Sequence, residues 1–212
     1  MVSLEEKERL QIVVNTQDEE RRNISEELHN GIAQSLYALQ LMIEGNQDFR
    51  NSTSKNTMLS VIDSCINEIR TLSYNLMPHI LEEFGLKDSL QELCNKNSST
   101  KLSIYYKHTG KINRYNKEIE IGIYRIIQEI INNIVKHSKA RNARLYTEEY
   151  KNYFRIVAED NGIGFDKAQA FTNKTSMGLR NIKNRIHILN GEIHIESEIN
   201  KGSRINIEIP LP

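Results

Sequence analysis

Apolar residues recur every three or four positions along the first part of the chain, and no proline interrupts the stretch from about residue 4 to 44. This spacing places apolar side chains on one face of an α-helix. The residues that carry it are Ile24, Leu28, Ile32, Leu36, Leu39 and Ile43. The pattern predicts one long amphipathic helix.

A second helical pattern follows a polar stretch at 44–53, EGNQDFRNST, whose composition predicts a loop. Its apolar face has the seam spacing of a bundle or coiled coil. That face consists of Leu59, Ile62, Ile66, Ile69, Ser73 and Leu76. Pro78 is expected to end the helix. An antiparallel hairpin of these two helices leaves an apolar stripe uncovered, so we expect a second copy to pair with it in a four-helix bundle, giving a homodimer.

Beyond residue 78 the pattern changes to shorter helices and to strands in which polar and apolar residues alternate. The expected helices cover about 86–94, 117–137 and 178–189, and the expected strands cover 101–107, 143–150, 153–160, 192–198 and 203–209. Helices and antiparallel strands on one core predict an α+β fold. We expect two domains, a helical hairpin at 1–79 and an α/β sandwich at 80–212.

Length and charge exclude several classes of protein. The 212 residues suffice for one substantial core or two small ones. Lys plus Arg and Asp plus Glu both number 28, so no charge excess indicates a nucleic-acid partner. Cys65 and Cys94 lack the spacing of a metal or redox site, which favours reduced thiols. No signal peptide or membrane-spanning run is visible. We expect a cytoplasmic chain that reaches a membrane only through a further N-terminal portion.

The helix that contains EIINNIVKH (129–137) carries polar residues on one face. Glu129, Asn133 and either Lys136 or His137 are spaced by three or four positions. Oxygen donors of this kind suit Mg²⁺ bound to a triphosphate, and Lys136 offers a compact positive charge to phosphate. A solvated helix face would show the same pattern.

The segment EDNGIGF (159–165) places a carboxylate at the end of a predicted strand, ahead of two glycines. Asp160 can accept a hydrogen bond from an exocyclic amine, and Gly162 and Gly164 allow the backbone to approach a ring closely. Asp-Asn-Gly is also ordinary turn chemistry.

The segment MGLRNIKNR (177–185) contains the predicted start of a helix at Gly178, which Leu179 follows. Unpaired amides at a helix N-terminus suit phosphate, although an ordinary loop-to-helix junction has the same sequence features. The twelve residues before it, 166–177, are polar and free of glycine, and we predict that they form a mobile lid.

Together with NKGSRINIEIP (200–210), these segments resemble the N, G1 and G2 boxes and the closing glycine strand of sensor histidine kinase ATP-binding domains, within the GHKL superfamily. The resemblance implies a Bergerat-type sandwich over 80–212 that binds ATP and Mg²⁺, with Asp160 recognising adenine. It implies nucleotide contacts from Asn133, Lys136, His137, Asp160, Gly162, Gly164, Gly178 and Leu179. Asn133 and Glu129 would face Mg²⁺, and Glu129 is also expected to be catalytic.

The segment ELHNGIAQ (27–34) resembles the phosphoacceptor box E-L-H-D-x-x-x-Q of the subclass that includes nitrate sensors and the membrane-fluidity thermosensor. EERRNISEELH (19–29) and LMPHILEEFGLKDSL (76–90) extend the resemblance to residues 19–212. A neutral imidazole is a nucleophile at pH 7, so His29 is expected to accept phosphate from an exposed flank of the bundle. A lone helical histidine would otherwise be a surface residue.

Asn30 departs from the resemblance, because the subclass has an acid at this position. An amide takes up no proton, and loss of a general base costs roughly 10²–10⁴ in rate. Glu26, three residues before His29 on the same face, is a hypothetical substitute. Gln34 is expected to orient a water against the phosphoaspartate of a receiver domain, which is phosphatase chemistry, unless it is simply a surface glutamine.

These observations predict the core of a two-component sensor histidine kinase. It would phosphorylate His29 from Mg-ATP, pass the phosphoryl group to a response regulator aspartate, and dephosphorylate that regulator through Gln34. One alternative is a kinase-impaired dimeric scaffold or phosphatase, which Asn30 favours. Another is a different GHKL ATPase, such as a protein-serine kinase or a hydrolytic clamp, which would leave His29, Gln34 and the hairpin unexplained.

Overall fold

The computed structural model describes residues 4–45, 53–76, 79–111, 114–166 and 177–212. The chain divides into two compact units. One contains Ile12–His79, and the other contains Met1–Gln11 together with Ile80–Pro212. None of the helices described is both long enough and apolar enough to span a membrane.

The hairpin unit has two helical arms. The first arm consists of α1 (Leu4–Glu27), a π-helical turn (Leu28–Ala33) and α2 (Gln34–Gly45), and the second arm is α3 (Thr53–Leu76). Of α1, the part from Ile12 onwards belongs to the hairpin unit. Both predicted long helices are therefore confirmed, but the first is widened by a π-helical turn at the predicted phosphoacceptor position. Such turns are rare and are often found at functional sites. Most of the loop predicted at 44–53, as well as Pro78, lies outside the described residues.

The first arm buries side chains in the hairpin other than those predicted. Ser25 and Ala33 are buried, whereas Ile24 and Ile32 are 41% and 47% exposed in the single chain. The predicted apolar face therefore needs correction at both positions. Ala33 lies in the π-helical turn, which holds more residues than an α-helical one and breaks the predicted period there. On α3, Ile62, Ile66 and Ser73 are buried, as the predicted seam requires.

The second unit is an α+β sandwich, in agreement with the predicted fold class. Its elements are α4 (His79–Asn97), β1 (Ser103–Thr109), α5 (Lys117–Asn133), a second π-helical turn (Ile134–Ser138), β2 (Asn142–Glu149), β3 (Tyr153–Asp160), α6 (Met177–Ile188), β4 (Glu192–Glu198) and β5 (Gly202–Pro210). The sheet order is β1-β2-β3-β5-β4.

The strands pair antiparallel except for β1, which runs parallel to β2. The antiparallel strands expected from the sequence are therefore present, and β1 adds a parallel pair that the pattern did not predict. The chain between β1 and β2 passes through α5, and a crossover of this length brings the next strand back in the same direction.

The core of this unit lies between the sheet and the helices. Five isoleucines of α5 are almost completely buried and belong to the same cluster as side chains from α4, α6 and all five strands. They are Ile123, Ile126, Ile127, Ile130 and Ile131. The Asn116 side chain caps the N-terminus of α5 by accepting a hydrogen bond from the Ile119 amide at 2.9 Å. This packing fixes α5, and with it the polar residues of its C-terminal half.

An ion pair between Arg114 and the buried Glu120 holds the kinked helix α4 against the start of α5. Gly85 breaks α4 with φ 80° and ψ −174°. The Arg114 guanidinium donates to both carboxylate oxygens of Glu120 at 2.9 and 3.1 Å, and to the Leu81 carbonyl at 3.3 Å. The Glu120 side chain is only 4% exposed, whereas the Arg114 side chain is 52% exposed, so the carboxylate is the buried member of the pair.

Candidate functional site

A cavity of about 460 Å³ gathers most of the predicted nucleotide-binding residues. Eight of them line it: Glu129, Asn133, Lys136, His137, Asp160, Gly164, Gly178 and Leu179. They come from α5, the second π-helical turn, the end of β3 with its following loop, and the start of α6. The fold therefore brings three separate sequence segments to one site.

Gly178 brings the start of α6 against the polar face of α5. A Cβ atom at this position would lie 2.4 Å from Glu129 Oε1 and 3.0 Å from Asn133 Oδ1. Only glycine allows this approach without displacing those side chains. The first turn of α6 therefore lies beside two side-chain oxygen atoms of α5. Backbone amides in the first turn of a helix have no helical acceptor.

The Asp160 carboxylate is held by donors on both of its oxygens. The Gly162 amide donates to Asp160 Oδ1 at 2.8 Å, and the Ser203 hydroxyl donates to Oδ2. Ser203 lies directly opposite Asp160 in the register of β3 and β5. These bonds fix the direction of the carboxylate, and each oxygen keeps acceptor capacity for a ligand amine.

Gly162 is close to the cavity but does not line it. A Cβ atom on Gly162 would lie 2.1 Å from the Ser138 carbonyl oxygen. The neighbouring Ile163 amide donates to that same oxygen at 2.8 Å. The structure therefore requires glycine at 162 because of the protein's own backbone, and a role at the ligand ring stays a prediction for Gly162.

The loop after β3 anchors the second π-helical turn, which carries Lys136 and His137. Asn161 Oδ1 accepts hydrogen bonds from the amides of Arg141 and Asn142 at 3.0 and 2.9 Å. Ser138 Oγ donates to the Ile134 carbonyl at 2.8 Å. Lys136 and His137 themselves are exposed at the rim of the cavity.

Sequence reasoning missed the supporting residues Asn161, Ser138 and Ser203. Asn161 and Ser138 form hydrogen bonds with backbone groups, and no sequence pattern predicts such bonds. Ser203 had a detectable signal, because it follows Gly202 in a segment already associated with the site. Its contact with Asp160 depends on the β3–β5 register, which a single sequence does not reveal.

The remaining lining is largely apolar, with side chains of Ile130, Ile134, Ala158, Phe165 and Ile205. An apolar cavity with a few fixed polar groups is the usual form of a small-molecule site. Asp160 and Ser203 supply those polar groups at one part of the wall, while Glu129 and Asn133 supply them at another. The arrangement suits a ligand with a flat ring and a charged chain.

The oxygen donors of Glu129 and Asn133 fit a hard cation such as Mg²⁺. Within the described ranges, no three His, Cys, Asp or Glu side chains cluster in a way that would hold a metal. A cation here would therefore draw its remaining ligands from phosphate oxygens and water, which is how Mg²⁺ commonly binds. The lid predicted at 166–177 falls almost entirely outside the described residues.

The predicted phosphoacceptor region lies in the hairpin unit. Glu26, Asn30 and Gln34 are exposed on the first arm, at or beside the π-helical turn. Ser35 Oγ donates to the Gly31 carbonyl at 2.9 Å within this stretch. The backbone at His29 is π-helical, and its side chain lies outside the described part of the structure.

Comparison with known proteins shows which family and which proteins the chain resembles. Residues 118–212 match the family described as histidine kinase-, DNA gyrase B- and HSP90-like ATPase. DegS of Brevibacillus brevis, a signal transduction histidine-protein kinase/phosphatase, is 31% identical over 207 residues, which are 94% of this chain and 53% of DegS. NreB of Staphylococcus carnosus, an oxygen sensor histidine kinase, is 26% identical over 207 residues, covering 95% of this chain and 59% of NreB.

The chain spans between half and three fifths of the length of these two relatives. Among solved structures, the blue-light activated histidine kinase of Erythrobacter litoralis EL346 has a TM-score of 0.55 at 16% identity. That likeness covers 91% of this chain and 60% of the other, and it shows a common fold.

Proposed function

We propose that this chain, a relative of the sensor histidine kinases with a GHKL-type ATP-binding domain, phosphorylates His29 from Mg-ATP. It then passes the phosphoryl group to a response regulator. The observation that carries this proposal is the contact of Gly178 with Glu129 and Asn133 in the cavity that also contains Asp160. Three segments that are distant in sequence meet there, which supports binding of a nucleoside triphosphate.

Each group at the cavity has a distinct task in phosphoryl transfer. Asp160, oriented by Gly162 and Ser203, accepts a hydrogen bond from the adenine amine. Lys136 and the first amides of α6 offer positive charge to phosphate oxygens. Asn133 and Glu129 would hold Mg²⁺, which would supply charge neutralisation at the phosphates.

The transfer itself needs a nucleophile rather than further acid chemistry on the phosphate. A neutral ring nitrogen of His29 forms the bond to the γ-phosphorus while the bond to the β–γ bridging oxygen breaks, leaving ADP. The phosphoryl group then passes from His29 to an aspartate of a receiver domain. Gln34, exposed on the same arm, orients the water that hydrolyses the resulting phosphoaspartate.

We also propose that the hairpin forms a homodimer as a four-helix bundle. In the single chain, large apolar side chains on both arms remain exposed, and none of the residues of α2 is fully buried. Leu41 and Met42 on α2 are 68% and 73% exposed, and Val61 on α3 is 56% exposed. Exposed apolar surface of this extent marks an interaction face, and a second copy covers it economically. Light scattering at micromolar concentration tests this, and a monomer would exclude it.

Asn30 favours a second candidate function, a response regulator phosphatase or scaffold with little kinase activity. The amide cannot act as a base for His29, whereas Gln34 retains the amide needed to position a water. In this case nucleotide binding would serve to set the conformation of the dimer. The distinguishing result is tight ATP binding without formation of phosphohistidine.

The experiment that tests the proposal is a timed incubation of the purified protein with labelled Mg-ATP, beside a His29→Gln variant. Intact mass first confirms that Asn30 has not deamidated. Acid-labile, base-stable label that is absent from the variant is the expected result. Absence of label in a protein that binds ATP would contradict the kinase proposal and favour the phosphatase.

A further inference from the structure

A buried pair of serines joins α1 to the last turn of α3. Ser25 is fully buried, and Ser73 is 3% exposed. Their hydroxyl oxygens are 2.7 Å apart. Ser25 Oγ lies 3.0 Å from the Ser73 carbonyl oxygen, and Ser73 Oγ lies 3.2 Å from the Ser25 carbonyl oxygen. We call this pair the serine clasp, because each hydroxyl reaches the backbone of the opposite helix.

Ser25 of the clasp is buried although an apolar residue, Ile24, stands beside it in the sequence. Ile24, the preceding residue, is 41% exposed, while the small polar Ser25 lies inside. A buried hydroxyl is costly unless it is hydrogen-bonded. The clasp satisfies both hydroxyls, but only in one register of the two helices, since a slide or rotation by one residue would separate them. Buried polar residues with this property are known to fix helix register.

The clasp also joins the end of α3 to the part of α1 just before the π-helical turn. Ser73 is in the last turn of α3, and the Ser25 hydroxyl donates to its carbonyl. Ser25 is four residues before His29 and directly precedes the turn that leads into the π-helical stretch Leu28–Ala33. The contact thus connects the end of the hairpin to the segment that carries the phosphoacceptor.

We propose that Ser25 and Ser73 are positioning residues, which hold the π-helical stretch and residue 29 in register with the end of α3. The consequence for phosphotransfer rests on the proposed function, whereas the mechanical link between the two helix segments does not. Loss of the clasp should loosen both segments together and change the balance between phosphorylation of His29 and dephosphorylation of the regulator.

The variants are Ser25→Ala, Ser73→Ala and the double substitution, with Ser25→Thr to retain the hydroxyl. Ser60→Ala is the matched control, because Ser60 lies on α3 with an exposed hydroxyl that donates only to the Thr57 carbonyl at 2.8 Å. Each protein is examined for amide hydrogen exchange, ATP affinity, labelling of His29 and dephosphorylation of a phosphorylated receiver domain.

In the double variant we expect amide exchange at 26–33 and at 74–76 to accelerate by about tenfold, the effect of losing a buried hydrogen bond. ATP affinity should stay unchanged, and the ratio of His29 labelling to receiver dephosphorylation should shift by a similar factor. Each single alanine should have nearly the effect of the double variant, because the two hydroxyls act as a unit. Ser25→Thr and Ser60→Ala should resemble the unaltered protein.

Unchanged exchange in the double variant would overturn the clasp as a link. Faster exchange with an unaltered ratio of the two activities would overturn its positioning role. If the unaltered protein forms no phosphohistidine, the proposed kinase reaction fails, and exchange together with receiver dephosphorylation still decides the clasp. If the double variant fails to fold, the single alanines and Ser25→Thr give the same comparison.

Discussion

Gly178 lies directly against the Glu129 carboxylate, so that a Cβ atom at 178 would approach Glu129 Oε1 to 2.4 Å. This contact joins the first turn of α6 to the polar face of α5. A substitution at Gly178 therefore tests the site, because any side chain there must displace the Glu129 carboxylate oxygen that the proposed chemistry uses.

We expect Gly178→Ala to weaken ATP binding at least tenfold while changing the free energy of unfolding by about 1 kcal/mol or less. The atom that the new methyl group meets is the end of a flexible side chain, so the fold can adjust although the site cannot. Calorimetric titration with Mg-ATP and urea unfolding measure the two quantities. Gly45→Ala is the control, since no atom of the described residues lies within 4 Å of a Cβ there. Equal ATP affinity for both variants would remove Gly178 from the site.

Asp160→Asn should reduce ATP affinity by roughly 10- to 100-fold, the usual effect of losing a hydrogen bond to a charged acceptor. Gly162 and Ser203 already donate to the two carboxylate oxygens, and an amide offers only one oxygen to these donors and the ligand. Glu159→Gln is the matched control, because this neighbouring carboxylate pairs with Arg204 at 3.3 Å and does not line the cavity. Titration of both variants with ATP decides, and equal affinities would exclude Asp160.

Asn30→Asp should accelerate labelling of His29, by up to roughly 10²–10⁴ if the restored acid serves as the missing general base. The measurement is the initial rate of phosphohistidine formation at saturating ATP. An unchanged rate would show that Asn30 does not limit the reaction.

Glu26→Gln, made both alone and with Asn30→Asp, serves as the control for that experiment. If Glu26 replaces the missing acid, its loss should abolish labelling in the Asn30 protein and have little effect beside Asp at position 30. Full labelling of the single Glu26→Gln variant would rule out that substitution.

Glu120→Gln should lower the free energy of unfolding of the ATP-binding unit by about 1–3 kcal/mol, because a buried carboxylate that receives two bonds from Arg114 is replaced by a neutral amide. Urea unfolding followed by circular dichroism measures the change. Glu118→Gln, on the exposed side of the same helix, is the control. A similar stability for both variants would mean that the Arg114–Glu120 pair does not support the kinked helix α4.

Cys94 should resist thiol reagents at pH 8 in the folded protein and react only after unfolding, because burial raises the pKa of its thiol from 9.0 to about 12. Between these two pH values the unfolded thiol ionises while the folded one does not, so its contribution to stability is lost as pH rises. The check is the difference in unfolding free energy between the unaltered protein and Cys94→Ala, followed from pH 8 upwards. Rapid labelling of Cys94 in the folded protein would contradict its burial.

Local sequence was sufficient to find the two helical arms, the helix that begins at Lys117 and the strand pairs that flank Lys151 and Lys201. Each depends on periodicity over consecutive residues, which the backbone enforces independently of distant contacts. The order of the three nucleotide segments was also readable, and eight of the residues predicted from them line one cavity. These features are local, and the pattern of apolar and polar residues is enough to predict which face of each element is buried.

Tertiary structure decided what depends on a neighbour from another segment. Ser25 and Ala33 are buried in the hairpin in place of Ile24 and Ile32, and at Ala33 the widened π-helical turn breaks the period on which the prediction relied. The parallel pairing of β1 arose from the crossover through α5. Ser203 met Asp160 only through strand register, and a register is a relation between two segments that neither sequence contains by itself.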